Sequence, residues 1–183
     1  MHGPRDEAPH LYLGTELSPE EYYERRSHVY DNPHAEGIEQ ALSALSLPLA
    51  ASVLDLGCGD GLVTKLFQPR GCLCQGMDRA SAMVARYEKE TGCRGLVGCF
   101  DQAMPPSEMI VASYALHLAT PAEKTVMWWR MWESGASWVV VVSPFKSRPS
   151  DPAHYFQLTR AVQGPWGPSK KTVYGRLYQR LAT

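Results

Sequence analysis

The chain has 183 residues, 44% of them hydrophobic and 20% charged, with a formal net charge of −1. That length can bury a core without disulfide or metal staples, and the near-neutral charge argues against a general nucleic-acid binder. The longest apolar run, Trp138 to Val142, is too short to span a bilayer, and the opening MHGPRDEAPH has no apolar signal-type core. Five cysteines without framework spacing fit a reducing compartment, the cytoplasm first and the nucleus second.

Residues 1–17 read as a flexible polar tail, followed by one domain over 18–183. Ser18-Pro19-Glu20-Glu21 is a capping box with proline at the first helical position. It predicts a helix carrying Tyr22, Tyr23, Val29 and Tyr30 until Asn32-Pro33 stops it. A second helix over 34–45 has Ile38, Leu42 and Leu45 on one face, so 18–46 is helical. The core over 48–143 then alternates. Strands are predicted over 52–57, 72–77, 94–100 (weak), 109–114 and 137–142, with helices over 62–67, 81–90 and 120–133. Thr120-Pro121-Ala122-Glu123 is a second capping box. The stretch 153–182 reads as an antiparallel hairpin, its strands over 155–162 and 172–181 joined by a Gly/Pro-rich turn. This order predicts an α/β fold: a doubly wound, mostly parallel sheet with helices on both faces and a terminal antiparallel hairpin.

Val53-Leu-Asp-Leu-Gly-Cys-Gly-Asp-Gly61 is a strand running into D-x-G-x-G-x-G and then a helix. Gly57 and Gly59 let the backbone turn and approach a ligand, and Gly61 permits close packing of the helix. Asp55 before the first glycine can hold an ammonium group or a water, which suits a cationic amino-acid ligand better than a pyrophosphate. Asp78, seventeen residues after Gly61, ends the second strand and can accept from two ribose hydroxyls. Asp101, with Gln102, ends the third, where a carboxylate can accept from an adenine amino group.

These residues resemble the class I S-adenosylmethionine-dependent methyltransferases, over roughly residues 48–143. Gly76-Met-Asp-Arg-Ala-Ser-Ala-Met83 is similar to the family's G-x-D-x-S-x-x-M run. The resemblance implies a Rossmann-like methyltransferase with S-adenosylmethionine as cofactor. Asp55, Gly57, Cys58, Gly59 and Gly61 would hold its methionine moiety and Asp78, with Arg79 beside it, the ribose. Asp101, Gln102 and Met83 would surround the adenine, with Ser113 at the cofactor edge. The hairpin matches the antiparallel end of the family's sheet.

The acceptor belongs beyond the fourth and fifth strand ends. Tyr114 follows the fourth strand, and Phe145 and Lys146 follow the fifth. His117 is the base candidate, against the alternative of a histidine bonded to the loop. Tyr30 resembles the tyrosine of a lid in small-molecule members, against that of a packed helix. The fourth strand lacks the D/N/S-P-P-aromatic run that grips a nucleobase amine, no cysteine stands at either strand end, and no metal-ligand cluster is evident. Trp128, Trp129 and Trp132 exceed one helix stripe, which marks a candidate protein-partner surface beside the simpler reading of core.

Methyl transfer to oxygen or nitrogen of a small molecule is preferred. The competing acceptor is RNA. From Ser143 onward, seven basic residues (Lys146, Arg148, Arg160, Lys170, Lys171, Arg176, Arg180) face one acid, Asp151. Arg176, Arg180, Tyr174 and Tyr178 would share one hairpin face, a cation–aromatic surface of the kind RNA favours; otherwise the tyrosines are core. A non-catalytic cofactor-binding scaffold is the third reading.

Overall fold

The computed structural model describes residues 17–144, 152, 154–167 and 171–182. The N-terminal tail up to residue 16 and the acceptor candidates Phe145 and Lys146 lie outside the described residues. Strands β1 (Ser52–Leu56), β2 (Leu73–Asp78), β3 (Gly95–Val97), β4 (Met109–Ser113) and β5 (Trp138–Ser143) pair in parallel. β7 (Val173–Arg180) runs antiparallel to β5, and β6 (Phe156–Gly164) antiparallel to β7. The order is β3-β2-β1-β4-β5-β7-β6, so the predicted sheet and its terminal hairpin are both present. Among the described residues, five α-helices accompany it: α1 (Pro19–Arg26), α2 (Ala35–Ala44), α3 (Leu62–Phe67), α4 (Ser81–Thr91) and α5 (Pro121–Glu133). Both predicted capping boxes form, at Ser18 and at Thr120.

Alternate strand residues point to opposite faces, and this splits the apolar runs into two cores. Leu54, Ile110, Val139, Val141 and Tyr178 meet Met127, Trp128 and Met131 of α5. Val53, Val111, Val140, Val142 and Leu177 meet Ile38, Ala41, Leu42 and Leu45 along α2, and Val63 and Phe67 of α3. A sheet covered on both faces needs strands that are apolar throughout, which is why β4 and β5 read as unbroken runs.

Several expectations are corrected. The first helix stops at Arg26, well before Asn32-Pro33, because the next carbonyls find another donor: Arg86 Nη1 donates to Ser27 O and to Tyr30 O. Tyr30 therefore lies in a non-helical segment. The third strand has only three residues. After it the amide of Gly98 still donates to Asp78 O (2.9 Å), then Gln102 Oε1 accepts from the amide of Cys99 (3.2 Å) and the chain turns away. Asp101 and Gln102 thus sit in an exposed loop past the strand rather than at its end.

The cation–aromatic face expected for RNA is not formed by the hairpin. Both faces of β7 are covered, so Tyr178 is fully buried and Arg176 is only 6% exposed. Arg180 turns back onto the protein, its guanidinium 4.3 Å from the centre of the Trp132 ring and donating to Trp132 O. Nor do three tryptophans share a surface on α5. Trp128 is 2% exposed, packed on Tyr178 (5.2 Å between ring centres) and Phe156 (6.0 Å). Trp129 and Trp132 are half-buried under Arg130 and Arg180. No described helix is long and apolar enough to cross a membrane.

The division within α5 has a measurable consequence. Trp128→Ala opens a cavity between α5 and β7 and should cost about 3–5 kcal/mol. Trp129→Ala removes a half-exposed ring and should cost less than about 1 kcal/mol. Urea unfolding of the two variants measures both; equal losses would contradict the assignment of Trp128 to the core.

Candidate functional site

The sheet order reverses between β1 and β4, and ligands of open α/β sheets bind at such a switch, beyond the strands' carboxyl ends. Here β1 runs into Gly57, Gly59 and Gly61, with φ of +74°, +51° and +76°. L-residues are strained in that region. The loop is tied to the neighbouring strand. The amides of Gly57 and Cys58 both donate to Met77 O (2.7 and 3.1 Å), and that of Gly59 donates to Asp78 Oδ2 (3.1 Å).

The three glycines answer to different needs. A Cβ on Gly57 would lie 2.5 Å from the Ala115 Cβ, in the loop after β4. One on Gly61 would lie 2.3 Å from Thr91 Cγ2, so the close partner there is α4. At Gly59 the nearest atoms are Met83 Cε at 3.7 Å, Gly57 O at 3.9 Å and Tyr30 Cε1 at 4.0 Å. Packing within the chain does not demand glycine at 59. Its φ does, and so does any ligand passing between Met83 and Tyr30.

Three carboxylates surround this loop. Asp55 is 1% exposed, and its Oδ2 accepts from the amide and the hydroxyl of Thr64 (both 3.2 Å) at the start of α3. The Thr64 hydroxyl also bonds the Tyr87 hydroxyl (2.9 Å). Burial pushes the Asp55 pKa up to about 8; the Thr64 bonds oppose this, and Asp60 and Asp78 add to it. Asp78 is half-buried, its Oδ1 accepting from the amide of Ala80 (3.0 Å) and its Oδ2 from Gly59. Burial raises its pKa against those two bonds and Arg79. Asp78 keeps lone pairs for further donors, since each oxygen can accept more than once.

Cys58 is buried behind the loop, where burial drives its thiol pKa far up, so it acts as filler rather than nucleophile. Arg79 turns away, pairing with Glu123 (2.9 Å) and lying 5.2 Å over Phe100. Burial raises the Glu123 pKa, but Thr120 and the Arg79 guanidinium outweigh it and hold the carboxyl below its usual range. Asp101 lies near this pair: its carboxylate, the Cys99 thiol and Glu123 offer atoms within 4.8 Å of one another. Its carbonyl accepts from Arg130 Nε (2.7 Å).

On the β4 side, Ser113 ends the strand half-buried, and Tyr114 adopts φ +53°, held by its amide on Val142 O (2.8 Å). A bulky residue at positive φ is an outlier of the kind that gathers at functional sites. The Tyr114 ring stacks on His34 (4.2 Å, 20° between planes) and meets His117 edge-on (6.4 Å). Burial raises the Tyr114 hydroxyl to about 12. Burial first, then Lys171, lowers His34 to about 4, so the stack is uncharged at neutral pH.

Tyr30 thus reaches the glycine loop, and Ala115, in the segment that carries Tyr114 and His117, adjoins it across the switch; Asp101 and Gln102 stand further out. Sequence reasoning missed Thr64, Tyr87, His34 and Arg86. Only Thr64 carried a signal, its place in the first turn of the helix after the glycines. The others act across tens of residues.

No family model matches the chain, and no curated protein matches it in sequence. Its fold is similar to solved methyltransferases. The N-methyltransferase NodS from Bradyrhizobium japonicum WM9, in complex with S-adenosyl-L-homocysteine, aligns at 13% identity and TM-score 0.67 over 98% of this chain and 100% of that one. Magnesium protoporphyrin IX methyltransferase from Synechocystis PCC 6803 aligns at 13% and 0.67, over 94% and 100%. A TehB-like S-adenosylmethionine-dependent methyltransferase from Corynebacterium glutamicum aligns at 14% and 0.62, over 87% and 94%. The chain has the Rossmann-like methyltransferase fold.

The buried acid makes a prediction on stability. Folded Asp55 keeps its proton up to about pH 8, while the unfolded chain releases it near 3.8. The folded state then holds more protons in between, so stability falls as pH rises through that window. Asp55→Asn keeps an acceptor for Thr64 and removes the ionisation. Its melting temperature should fall less between pH 5 and pH 8 than that of the unsubstituted protein. Parallel pH profiles would show that Asp55 ionises normally.

Proposed function

We propose that this chain is an S-adenosylmethionine-dependent methyltransferase acting on an oxygen or nitrogen of a small acceptor. The observation carrying this reading is the chemistry of the glycine loop. It is surrounded by Asp55, Asp60 and Asp78, close enough for the other two to raise the Asp55 pKa. A pyrophosphate would be repelled there, whereas a ligand with an ammonium and a sulfonium would be attracted. The fold's likeness to solved methyltransferases agrees with it.

When bound, the cofactor supplies an electrophilic methyl group. The protein's part is binding, alignment and exclusion of water. Asp55, giving up its proton as the cation binds, would face the ammonium, Asp78 the ribose hydroxyls, and Gly59 would leave the path between Met83 and Tyr30 open. Met83 is 2% exposed and offers an apolar wall. Tyr114, His34 and His117 form the wall on the β4 side, with His117 the group to take a proton where the acceptor carries one.

A small acceptor is favoured over RNA because the 30–34 segment already closes on the loop after β4, while Arg176 and Tyr178 are buried. Turnover is favoured over a scaffold role because Asp55 and Asp78 both stand at the loop, with Asp101 further out. The five cysteines, all unpaired, fit a cytoplasmic setting.

Calorimetry with S-adenosylmethionine tests the cofactor. Gly59→Val should abolish binding in a folded protein. Asp78→Ala should weaken it by about 2–3 kcal/mol, the scale of hydrogen bonds to a charged group. Equal or tighter binding of a nicotinamide dinucleotide would overturn the reading. Labelled cofactor with metabolite pools and total RNA then identifies the acceptor class; incorporation confined to RNA would reject the small-molecule choice.

A further inference from the structure

One turn beyond Met83 on the same face of α4, Tyr87 is wholly buried against the glycine loop. Two glycines from separate elements make room for its ring. A Cβ on Gly76 of β2 would lie 2.6 Å from its Cε1 and Cζ, and one on Gly61 would lie 3.2 Å from its Cδ2. Gly76 lacks the positive φ of the loop glycines, so what its missing side chain provides is space for this ring and for Cys58 Sγ.

The ring carries a hydroxyl to the neighbourhood of Asp55. It bonds Thr64 Oγ1 (2.9 Å), and the same Oγ1 bonds Asp55 Oδ2 (3.2 Å). All three residues are at most 1% exposed. A hydroxyl has one proton to give, and an ionised carboxylate only accepts. When Asp55 is ionised, Thr64 must therefore donate to it, and Tyr87 must donate to Thr64. Burial holds the Tyr87 phenol protonated, its pKa far above the usual range, so that proton is present. Bonds in such a chain polarise and strengthen one another. Among the described residues, the ionisable neighbours of Asp55 are Cys58 and Asp60 in the loop, Cys74 and Asp78 on β2 and Tyr87 on α4. Its register partners, Gly76 on β2 and Val111 on β4, carry no charge. Asp60 and Asp78 oppose its ionisation, and the two bonds from Thr64 favour it.

From this chain we infer that Tyr87 is a positioning residue for the cofactor site: it fixes the Thr64 hydroxyl as a donor to Asp55, which occupies Oδ2, leaves Oδ1 for the ligand's ammonium and favours the charged carboxylate. The inference rests on the cofactor reading above. It also ties the two ends of the site together. The helix that carries Tyr87 begins at the Ala80 amide held by Asp78 Oδ1, so α4 serves the proposed ribose acid at its start and the ammonium acid two turns on.

Tyr87→Phe and Thr64→Val, singly and together in the full chain, test this. Calorimetry with S-adenosylhomocysteine gives affinity against pH, and carbon NMR of the Asp55 carboxyl in the free protein gives its titration midpoint. In Tyr87→Phe the midpoint should move to higher pH, and affinity near pH 6 should fall about threefold to tenfold, the scale of one hydrogen bond. The loss should fade toward about pH 9.5, where Asp55 is ionised in either protein; the ligand's own amine titrates alike in both, so the ratio of affinities reports Asp55. Thr64→Val should lose at least as much, and adding Tyr87→Phe to it should change little, because Tyr87 acts through that hydroxyl. A ring that merely packs would weaken binding equally at every pH when altered, and would add its full cost to Thr64→Val; either result overturns the inference. A midpoint that stays or falls in Tyr87→Phe overturns it too, since a Thr64 hydroxyl released from donating to Tyr87 would turn toward Asp55. Those outcomes leave the cofactor reading intact. Absence of S-adenosylhomocysteine binding by the unsubstituted protein would instead sink that reading, while the NMR midpoints still decide the Tyr87–Thr64–Asp55 chain.

Discussion

The structure turns on one backbone junction. Met77 O, at the end of β2, accepts from two consecutive amides of the glycine loop, and Asp78 accepts from a third. Without those bonds a loop with left-handed glycines at 57, 59 and 61 would be loosely held, since glycine loses the most freedom on ordering. With them, the loop after β1 is fixed against β2, and its other side is fixed by the contact of Gly57 with Ala115 beyond β4. Three strands therefore define one loop, and the crevice at the switch point has its shape before any ligand arrives.

The same loop is electrostatically costly. Asp55 is buried, accepting from the amide and hydroxyl of Thr64, and Asp60 and Asp78 add to the rise that burial gives its pKa. A core built for stability alone would not place carboxylates together. Tyr114 adds backbone strain on the opposite wall of the crevice. Strain and clustered carboxyl groups concentrate at the switch point, while the two apolar cores on either side carry the stability. That separation is the usual relation between a site and its scaffold.

Binding strength is likewise graded along the chain. α2, α3 and α5 bury apolar faces in the two cores, whereas α1 buries Tyr22 and meets α4 through Glu24, which accepts from the Ala82 amide, and, past its end, through Arg86. Capping bonds and ion pairs of this exposed kind contribute modestly.

The sequence by itself determined the order of strands and helices, both capping boxes, the glycine loop and the position of Asp78. Each is written in local features: periodicity, a Ser or Thr three residues before a Glu, glycines after an apolar run. It also carried the family resemblance, and with it the expectation of a parallel sheet. What it left open was decided by contacts between distant residues. Whether Tyr30 sat in a helix depended on Arg86 claiming the carbonyls of Ser27 and Tyr30. The end of the third strand depended on Gln102 turning the chain at Cys99. Whether Arg176 and Tyr178 faced solvent depended on both faces of β7 being covered, which alternation along one strand cannot reveal. A pattern names the face of an element; only the packed structure decides what lies against it.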